Sequence, residues 1–119
     1  IRDRFNNYCD AFIIGGDQVW NNNIHFVKED CFLNFVEENK TKISYSSSFG
    51  TANYNPPASF IEFATPLLHR FDYLSVREDY AVKIANDLSV GTTPLLKLIT
   101  SSILVILSLT WGLFRYSSN

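Results

Sequence analysis

The stretch Asp10-Ala-Phe-Ile-Ile-Gly-Gly16 decides the fold, because a short apolar run there ends in two glycines. Such a run is typical of a buried strand in a parallel sheet, and the glycines indicate a loop where the backbone comes close to another group. Two later stretches have the same character: residues 42–46 alternate and run into a Ser-Ser-Phe-Gly loop, and residues 73–77 end abruptly in charge. We therefore predict three strands, each followed by a small or polar loop.

Apolar residues recur at helical spacing around the third strand. The first helical face comprises Phe60, Ala64, Leu67, Leu68 and Phe71. Pro66 leaves two alternatives open, one helix or two short pieces with Thr65 capping the second. A second face comprises Ala81, Ile84, Ala85 and Leu88, with Asp79 as the predicted N-cap. Residues 24–36 are ambiguous, because the whole segment fits a helix while residues 31–36 fit extended chain equally well.

Strands that alternate with helices predict βαβ units with right-handed crossovers, and therefore an α/β fold with a Rossmann-like parallel sheet. In such sheets a ligand lies beyond the carboxyl ends of the strands. All three predicted strand ends carry small or polar residues, in the ranges 15–21, 46–50 and 77–79. We expect these three loops to converge on one ligand site.

Composition excludes several classes of function. The 119 residues suit one small domain, and 46% hydrophobic content is enough for a packed core. The 10 basic residues are scattered singly and the net charge is −2, which argues against a nucleic-acid partner. The two cysteines and two histidines show no metal-ligand spacing, so no metal site is predicted and a metal requirement stays open.

The carboxyl-terminal part differs in composition from the rest. Residues 88–119 contain no acidic residue, and residues 98–114 form an uncharged run between Lys97 and Arg115. We treat residues 91–119 as an apolar tail, for which a membrane-spanning helix, a buried helix and an out-of-frame extension are the three interpretations. The first residue is Ile and Met is absent, so we expect an amino-terminal portion to precede this chain.

Three stretches together resemble the polysaccharide pyruvyl transferase family. Residues 15–21 (Gly-Gly-Asp-Gln-Val-Trp-Asn) are similar to its G-S-D-Q-V-W-N signature, with Gly16 in place of the usual serine. Residues 43–50 (Ile-Ser-Tyr-Ser-Ser-Ser-Phe-Gly) resemble I-S-Y-A-A-S-F-G, and residues 70–78 resemble R-F-D-x-(I/L)-S-V-R-E. The resemblance assigns residues 1–90 to part of one such domain. The family's amino-terminal glycine-rich segment, its D-P-T segment and its second domain have no counterpart here.

The resemblance implies a fold and a reaction. The fold would be one half of a two-domain, GT-B-like arrangement of facing Rossmann-like domains. The reaction would transfer an enolpyruvyl unit from phosphoenolpyruvate to two hydroxyls of a cell-surface glycan, in the cytoplasm, with membrane association through residues 98–114 as an option. Two rival hypotheses are a non-catalytic truncated remnant and a glycosyltransferase-like domain that uses a nucleotide sugar.

The implied chemistry needs a cation for the donor's carboxylate and phosphate and a group that accepts hydroxyl protons. Arg77 suits the first role, because a planar guanidinium binds either anion bidentately; a surface pair with Glu78 or Asp72 is the alternative. Asp17 suits the second as a base or hydroxyl ligand, unless it only caps the glycine loop. The remaining predicted substrate-binding residues are Gly15, Gly16, Gln18, Trp20, Asn21, Ser46, Ser47, Ser48, Gly50 and Glu78.

Two of these residues have an explicit alternative. Trp20 would stack on a sugar face, or it would be a core tryptophan. Glu78 is expected to orient Arg77 and not to act in the chemistry itself.

Overall fold

A computed structural model describes residues 2–88 and 97–99 of the chain. The described strands form one parallel sheet in the order β1-β2-β3-β4. Their bounds are β1 Ala11–Gly16, β2 Thr41–Ser47, β3 Tyr73–Val76 and β4 Lys97–Ile99, and the helices are α1 Ala58–Leu68 and α2 Asp79–Leu88. Two short 3-10 helices lie at Arg2–Asn7 and Glu29–Phe32. The α/β class, the three predicted strands and both predicted helices are confirmed.

The structure decides one alternative that the sequence left open and differs from the prediction in two other places. Helix α1 continues through Pro66 as one helix, since the proline lies in its last turn and costs only one backbone hydrogen bond. Asp79 is the first residue of α2 and does not precede it. Residues 24–36 form turns around the Glu29–Phe32 helix, neither a long helix nor a strand.

The predicted apolar helix over residues 98–114 is wrong at its beginning, because Leu98 and Ile99 belong to β4. The rest of that run lies outside the described residues. Within residues 2–88 and 97–99, the structure contains no helix that combines the length and the apolar character needed to cross a bilayer.

The connections between the strands all run in the same direction across the sheet. Right-handed crossovers in a sheet of this order place every connection on the same face. Consistent with this, α1 packs against both the Glu29–Phe32 turn and α2. On the opposite face, Ile13, Ile43 and Tyr73 lie side by side in register. Ile13 and Tyr73 are 61% and 54% exposed, so the described residues leave this face open.

Trp20 is at the centre of the aromatic core and is fully buried. Its ring stacks on Phe32 at 5.4 Å with planes 6° apart, and it also contacts Phe49 at 5.2 Å and Phe71 at 5.9 Å. The indole N–H donates to the Cys31 carbonyl at 2.9 Å, so this buried polar group has a hydrogen-bond partner. The loop after β1 is therefore anchored in the core by its tryptophan.

Side chains from other elements hold the irregular segment 33–40. Arg70 donates to the carbonyls of Leu33, Asn34 and Val36 and pairs with the carboxylate of Glu38 at 2.7 Å. The Asn6 amide donates to Phe35 O at 2.8 Å. Because these contacts replace a regular ladder, the segment keeps its backbone satisfied without forming a helix or strand.

Lys42 completes the same arrangement from inside the sheet. Its amine is buried and donates to the carbonyls of Glu37 at 2.7 Å and Lys40 at 2.9 Å. Burial lowers the pKa of Lys42, as does the charge of Arg70. Asp72 forms hydrogen bonds with both backbone groups of Lys42. Its carboxylate accepts from Lys42 N at 2.8 Å, and its own backbone N–H donates to Lys42 O at 2.9 Å. Arg70 and Asp72 therefore stabilise the fold.

Candidate functional site

The loops that follow β1, β2 and β3 meet at one edge of the sheet, as the sequence predicts. Gly16 pairs in register with Ser47, and Ser47 with Val76. Beyond those pairs, Trp20 N donates to Ser48 O at 3.0 Å and Arg77 N donates to Ser47 O at 3.1 Å. The loop after β2 thus lies between the other two and bonds to both. We call these three loops (residues 16–21, 46–50 and 77–80) the strand-end site.

Backbone irregularities shape this edge. The register between β1 and β2 shifts between Gly15 and Gly16, so that Ser46 has no pairing partner in β1. The backbone of Ser46 has a φ of 51°. A bulge of this kind bends a strand and re-aims the side chains at its end. Gly16 has φ of 120° and Gly50 has φ of 82°, values that favour glycine.

Gly15 is required for a different reason, which is close approach. A Cβ atom at Gly15 would lie 2.0 Å from the carbonyl oxygen of Tyr45, a backbone atom that cannot rotate away. The glycine pair therefore permits both the close contact of β1 with β2 and the positive φ that follows it.

Arg77 and Asp17 are brought into direct contact at this edge. The Nη1 of Arg77 donates to Oδ1 of Asp17 at 2.9 Å, and the two side chains are 40% and 72% exposed. Arg77 lies just before α2, whose amino-terminal end carries the positive end of the helix dipole. The site therefore combines a solvent-accessible guanidinium and a helix amino terminus, which favour an anionic ligand, with a carboxylate that is able to accept hydrogen bonds from hydroxyl groups.

Glu78 does not orient Arg77, which corrects the sequence-based expectation. Its Oε1 instead accepts a hydrogen bond from the Ser48 hydroxyl at 2.8 Å. Its Oε2 is buried and has no hydrogen-bond partner among the described residues. The carboxylate is thus held from the β2 loop, while Arg77 is held from the β1 loop.

Several predicted substrate-binding side chains face inward. The expectation that Trp20 stacks on a sugar is wrong, because its side chain is fully buried among core aromatics. Ser47 is fully buried, with its hydroxyl 2.9 Å from that of Ser44. Asn21 is 8% exposed; its amide donates to Gln18 at 2.9 Å and its Oδ1 accepts from Asn23 N at 3.0 Å. These residues support the loops and present no side chain to a ligand.

The remaining predicted residues stay at the accessible edge. Asp17 and Gly50 are exposed, and Gly16, Gln18, Ser46 and Arg77 are partly exposed. The structure therefore divides the predicted set into an accessible group and a supporting group.

Tyr80 is a member of the site that the sequence did not single out. Burial raises the pKa of its phenol; Glu78 and Asp17 also raise it, while a hydrogen bond with Ser48 and the charge of Arg77 lower it. All four of these groups belong to the strand-end site. Tyr80 follows the Ser-Val-Arg-Glu stretch by two positions, in the first turn of α2. This position next to the motif was the signal in the sequence that could have identified Tyr80 as a site residue.

A cavity of about 480 Å³ lies elsewhere, between α1, α2 and residues 54–56. Its lining residues are Tyr54, Asn55, Pro56, Ile61, Thr65, Ile84, Asp87 and Leu88. Among residues 2–88 and 97–99, no group of three or more histidine, cysteine, aspartate or glutamate side chains is arranged to hold a metal ion.

Comparison with known proteins gives one match. A family model described as polysaccharide pyruvyl transferase matches residues 1–111. The match continues past residue 90, so the domain boundary placed there stays a prediction. Searches of curated proteins and of solved structures give no significant match.

Proposed function

The chain belongs to the polysaccharide pyruvyl transferase family, and from that membership we propose that its strand-end site binds phosphoenolpyruvate as the pyruvyl donor. The acceptor is a sugar of a cell-surface polysaccharide, and the product is a pyruvate ketal with release of phosphate. The observation that carries the proposal is the Arg77–Asp17 contact, which places an accessible cation and a carboxylate at the same edge.

Charge supports the choice of donor. Phosphoenolpyruvate carries a carboxylate and a phosphate. A guanidinium binds either of these anions through two parallel N–H groups. The contact with Asp17 uses one of the five N–H donors of Arg77. The α2 amino terminus adds a second favourable group for negative charge.

Asp17 has a separate role in this proposal. It fixes the guanidinium through Oδ1, which limits the rotamers that Arg77 has to lose when the donor binds. Its carboxylate is 72% exposed and is able to accept a hydrogen bond from an acceptor-sugar hydroxyl. Donor and acceptor would thus meet at this ion pair.

The site requires a second wall. The accessible side chains at the strand ends face solvent from one side of a single sheet, whereas transfer without hydrolysis needs water to be excluded. We propose that a facing Rossmann-like domain supplies that wall in a GT-B-like arrangement.

Incubation of the full-length protein with phosphoenolpyruvate and a set of methyl hexopyranosides tests the function. Phosphate release and the ketal carbon, followed by 31P and 13C NMR, should appear together for at least one sugar. Arg77→Ala should abolish both signals, and Arg2→Ala, which removes another exposed ion-paired arginine, should leave them unchanged. Turnover of a nucleotide sugar without use of phosphoenolpyruvate would contradict the proposal.

A further inference from the structure

The orientation of the Asn21 side-chain amide is set by the backbone. Its Oδ1 accepts a hydrogen bond from the backbone N–H of Asn23 at 3.0 Å. An amide nitrogen in that place would face a second donor, so the oxygen of Asn21 has to lie there. The Nδ2 group of Asn21 therefore points to Gln18, and it donates to Oε1 of that residue at 2.9 Å.

The same reasoning fixes the side-chain amide of Gln18. Because its Oε1 accepts from the Asn21 amide, a rotation of the Gln18 amide by 180° would bring two NH2 groups into contact. The Nε2 group is therefore directed away from Asn21. The Gln18 side chain is partly exposed, and its Nε2 is neither buried nor hydrogen-bonded among the described residues. Gln18 thus presents the donor end of its amide to solvent.

The backbone of Gln18 is held in an unusual conformation at the same point. Its φ is 53°, in the left-handed region that residues other than glycine rarely adopt. Asn21 N donates to Gln18 O at 3.0 Å, and the buried ring of Trp20 anchors the loop between them. Gly50 leaves room for the Asn21 amide, since a Cβ atom there would lie 2.5 Å from Asn21 Nδ2. Strained conformations that are held by several contacts occur most often at ligand sites.

We propose that Gln18 binds an anionic oxygen of phosphoenolpyruvate through Nε2, and that Asn21 is a positioning residue that keeps the Gln18 amide in this orientation. This inference rests on the proposed function. Gln18 follows Asp17 directly, so its amide belongs to the loop whose carboxylate contacts Arg77. Ionised phosphate and carboxylate oxygens accept hydrogen bonds and do not donate them. An inverted Gln18 amide would present its oxygen and would repel them.

The amide adds a property that the guanidinium of Arg77 lacks. Arg77 supplies charge, which attracts an anion from a distance, whereas a neutral amide with a fixed orientation supplies a hydrogen bond in one direction. Asn21 is 8% exposed and has both ends of its amide in use. Its effect on the ligand should therefore pass through Gln18 alone.

Isothermal titration calorimetry of the full-length protein with phosphoenolpyruvate tests the role of Gln18. Gln18→Ala should weaken binding by ~10-fold or more, because the lost hydrogen bond has a charged acceptor. Parallel titrations with inorganic phosphate and with pyruvate identify the group that the amide contacts, since the variant should lose affinity for the anion that carries it. Wild-type affinity of Gln18→Ala for phosphoenolpyruvate, within about twofold, would overturn the inference.

Asn21→Asp tests the positioning role. It keeps an oxygen for the Asn23 N–H but places an acceptor opposite Gln18 Oε1, so the Gln18 amide should invert and binding should weaken by ~10-fold or more. In a Gln18→Ala background the same change should alter the affinity by less than about twofold. Repulsion of phosphoenolpyruvate by the new charge would instead weaken binding in both backgrounds, and that result would overturn the role of Asn21. Asn39→Asp, which adds the same charge at the opposite end of β2, is the matched control and should bind as wild type does.

The side-chain NH2 signals of Gln18 in 15N NMR spectra give a readout that a loss of fold would not produce. They should shift when phosphoenolpyruvate is added to wild type. In free Asn21→Asp they should already differ from wild type, while the backbone signals of α1 stay in place. Gln18 NH2 signals that do not move when wild type is saturated would contradict the contact and leave the proposed function standing. No binding of phosphoenolpyruvate by wild type would overturn both.

Discussion

Arg77 donates a hydrogen bond to Asp17 at 2.9 Å, although the two residues lie 60 positions apart in the chain. Both side chains are substantially exposed, and exposed ion pairs contribute only ~0–1 kcal/mol to stability. The contact joins the loop after β1 to the start of α2. The contact therefore contributes little to stability, but it positions the Arg77 guanidinium at the strand-end site.

Replacement of Arg77 should affect binding much more than folding. We expect Arg77→Ala to weaken phosphoenolpyruvate binding by ~10- to 100-fold, since a hydrogen bond to a charged group contributes about 1.5–3 kcal/mol. The free energy of unfolding should change by less than ~1 kcal/mol. Isothermal titration calorimetry and urea denaturation measure the two quantities. Arg2→Ala is the control, and equal binding by both variants would contradict the assignment.

Trp20 should matter for stability and not for ligand binding. Trp20→Ala is expected to lower the free energy of unfolding by ~3–5 kcal/mol, because it empties the centre of the aromatic core. Trp20→Phe should retain phosphoenolpyruvate affinity within about twofold. Phe26→Ala, which removes an aromatic side chain that is 85% exposed, should have almost no effect on unfolding. A large loss of sugar binding in a folded Trp20→Phe variant would restore the stacking role.

The two adjacent glycines should respond differently to alanine. Gly15→Ala places a methyl group against the Tyr45 carbonyl and should cost ~2–3 kcal/mol by forcing β1 away from β2. Gly16→Ala meets no atom within 4 Å and should cost only about 1 kcal/mol of backbone strain, since φ there is 120°. Thermal unfolding compares the two variants. A larger cost at Gly16 would indicate that the β1–β2 approach is looser than described.

Tyr54 should make stability fall at high pH. Burial raises the pKa of its phenol, which donates to Trp20 O at 3.0 Å. Above the ordinary tyrosine pKa of about 10, the unfolded chain loses this proton while the folded chain keeps it, so the folded state binds more protons and its stability declines as pH rises. The decline is at most ~1.4 kcal/mol per pH unit from this group.

Tyr54→Phe isolates this contribution. It should cost about 1 kcal/mol at pH 7 through the lost hydrogen bond, and the difference from wild type should shrink or reverse above pH 10. Urea denaturation at pH 7 to 11 gives the two curves. Tyr8→Phe is the exposed control, and a constant difference between wild type and Tyr54→Phe across this range would count against a protonated, buried phenol.

The regular elements could be predicted because their signals are local. The apolar run before Gly15 and the helical spacing from Ala81 to Leu88 depend only on neighbouring residues. Residues 24–36 could not be assigned, since their backbone is held partly by Asn6 and Arg70, which are distant in sequence. The same limit explains Trp20: its burial is decided by Phe49 and Phe71, which only the folded chain brings near.

The site was predicted in outline for the same reason. Parallel strands bring their carboxyl ends to one edge, so the meeting of Asp17 with Arg77 follows from topology. The partner of Glu78 does not, because the choice between Arg77 and Ser48 depends on side-chain directions at a bulged strand end. Tyr80 was missed because nothing in its spacing distinguishes it from other residues of α2, and it does pack partly against the core.

Titration of the 15N-labelled chain with phosphoenolpyruvate, followed by amide chemical shifts, tests the central claim most directly. The strand-end site should respond as a unit, with the largest shifts at residues 16–18, 46–50 and 77–80 and with saturation at one equivalent. Arg77→Ala should remove these shifts without changing the rest of the spectrum. Shifts confined to the cavity between α1 and α2, or no shifts at all, would contradict the account.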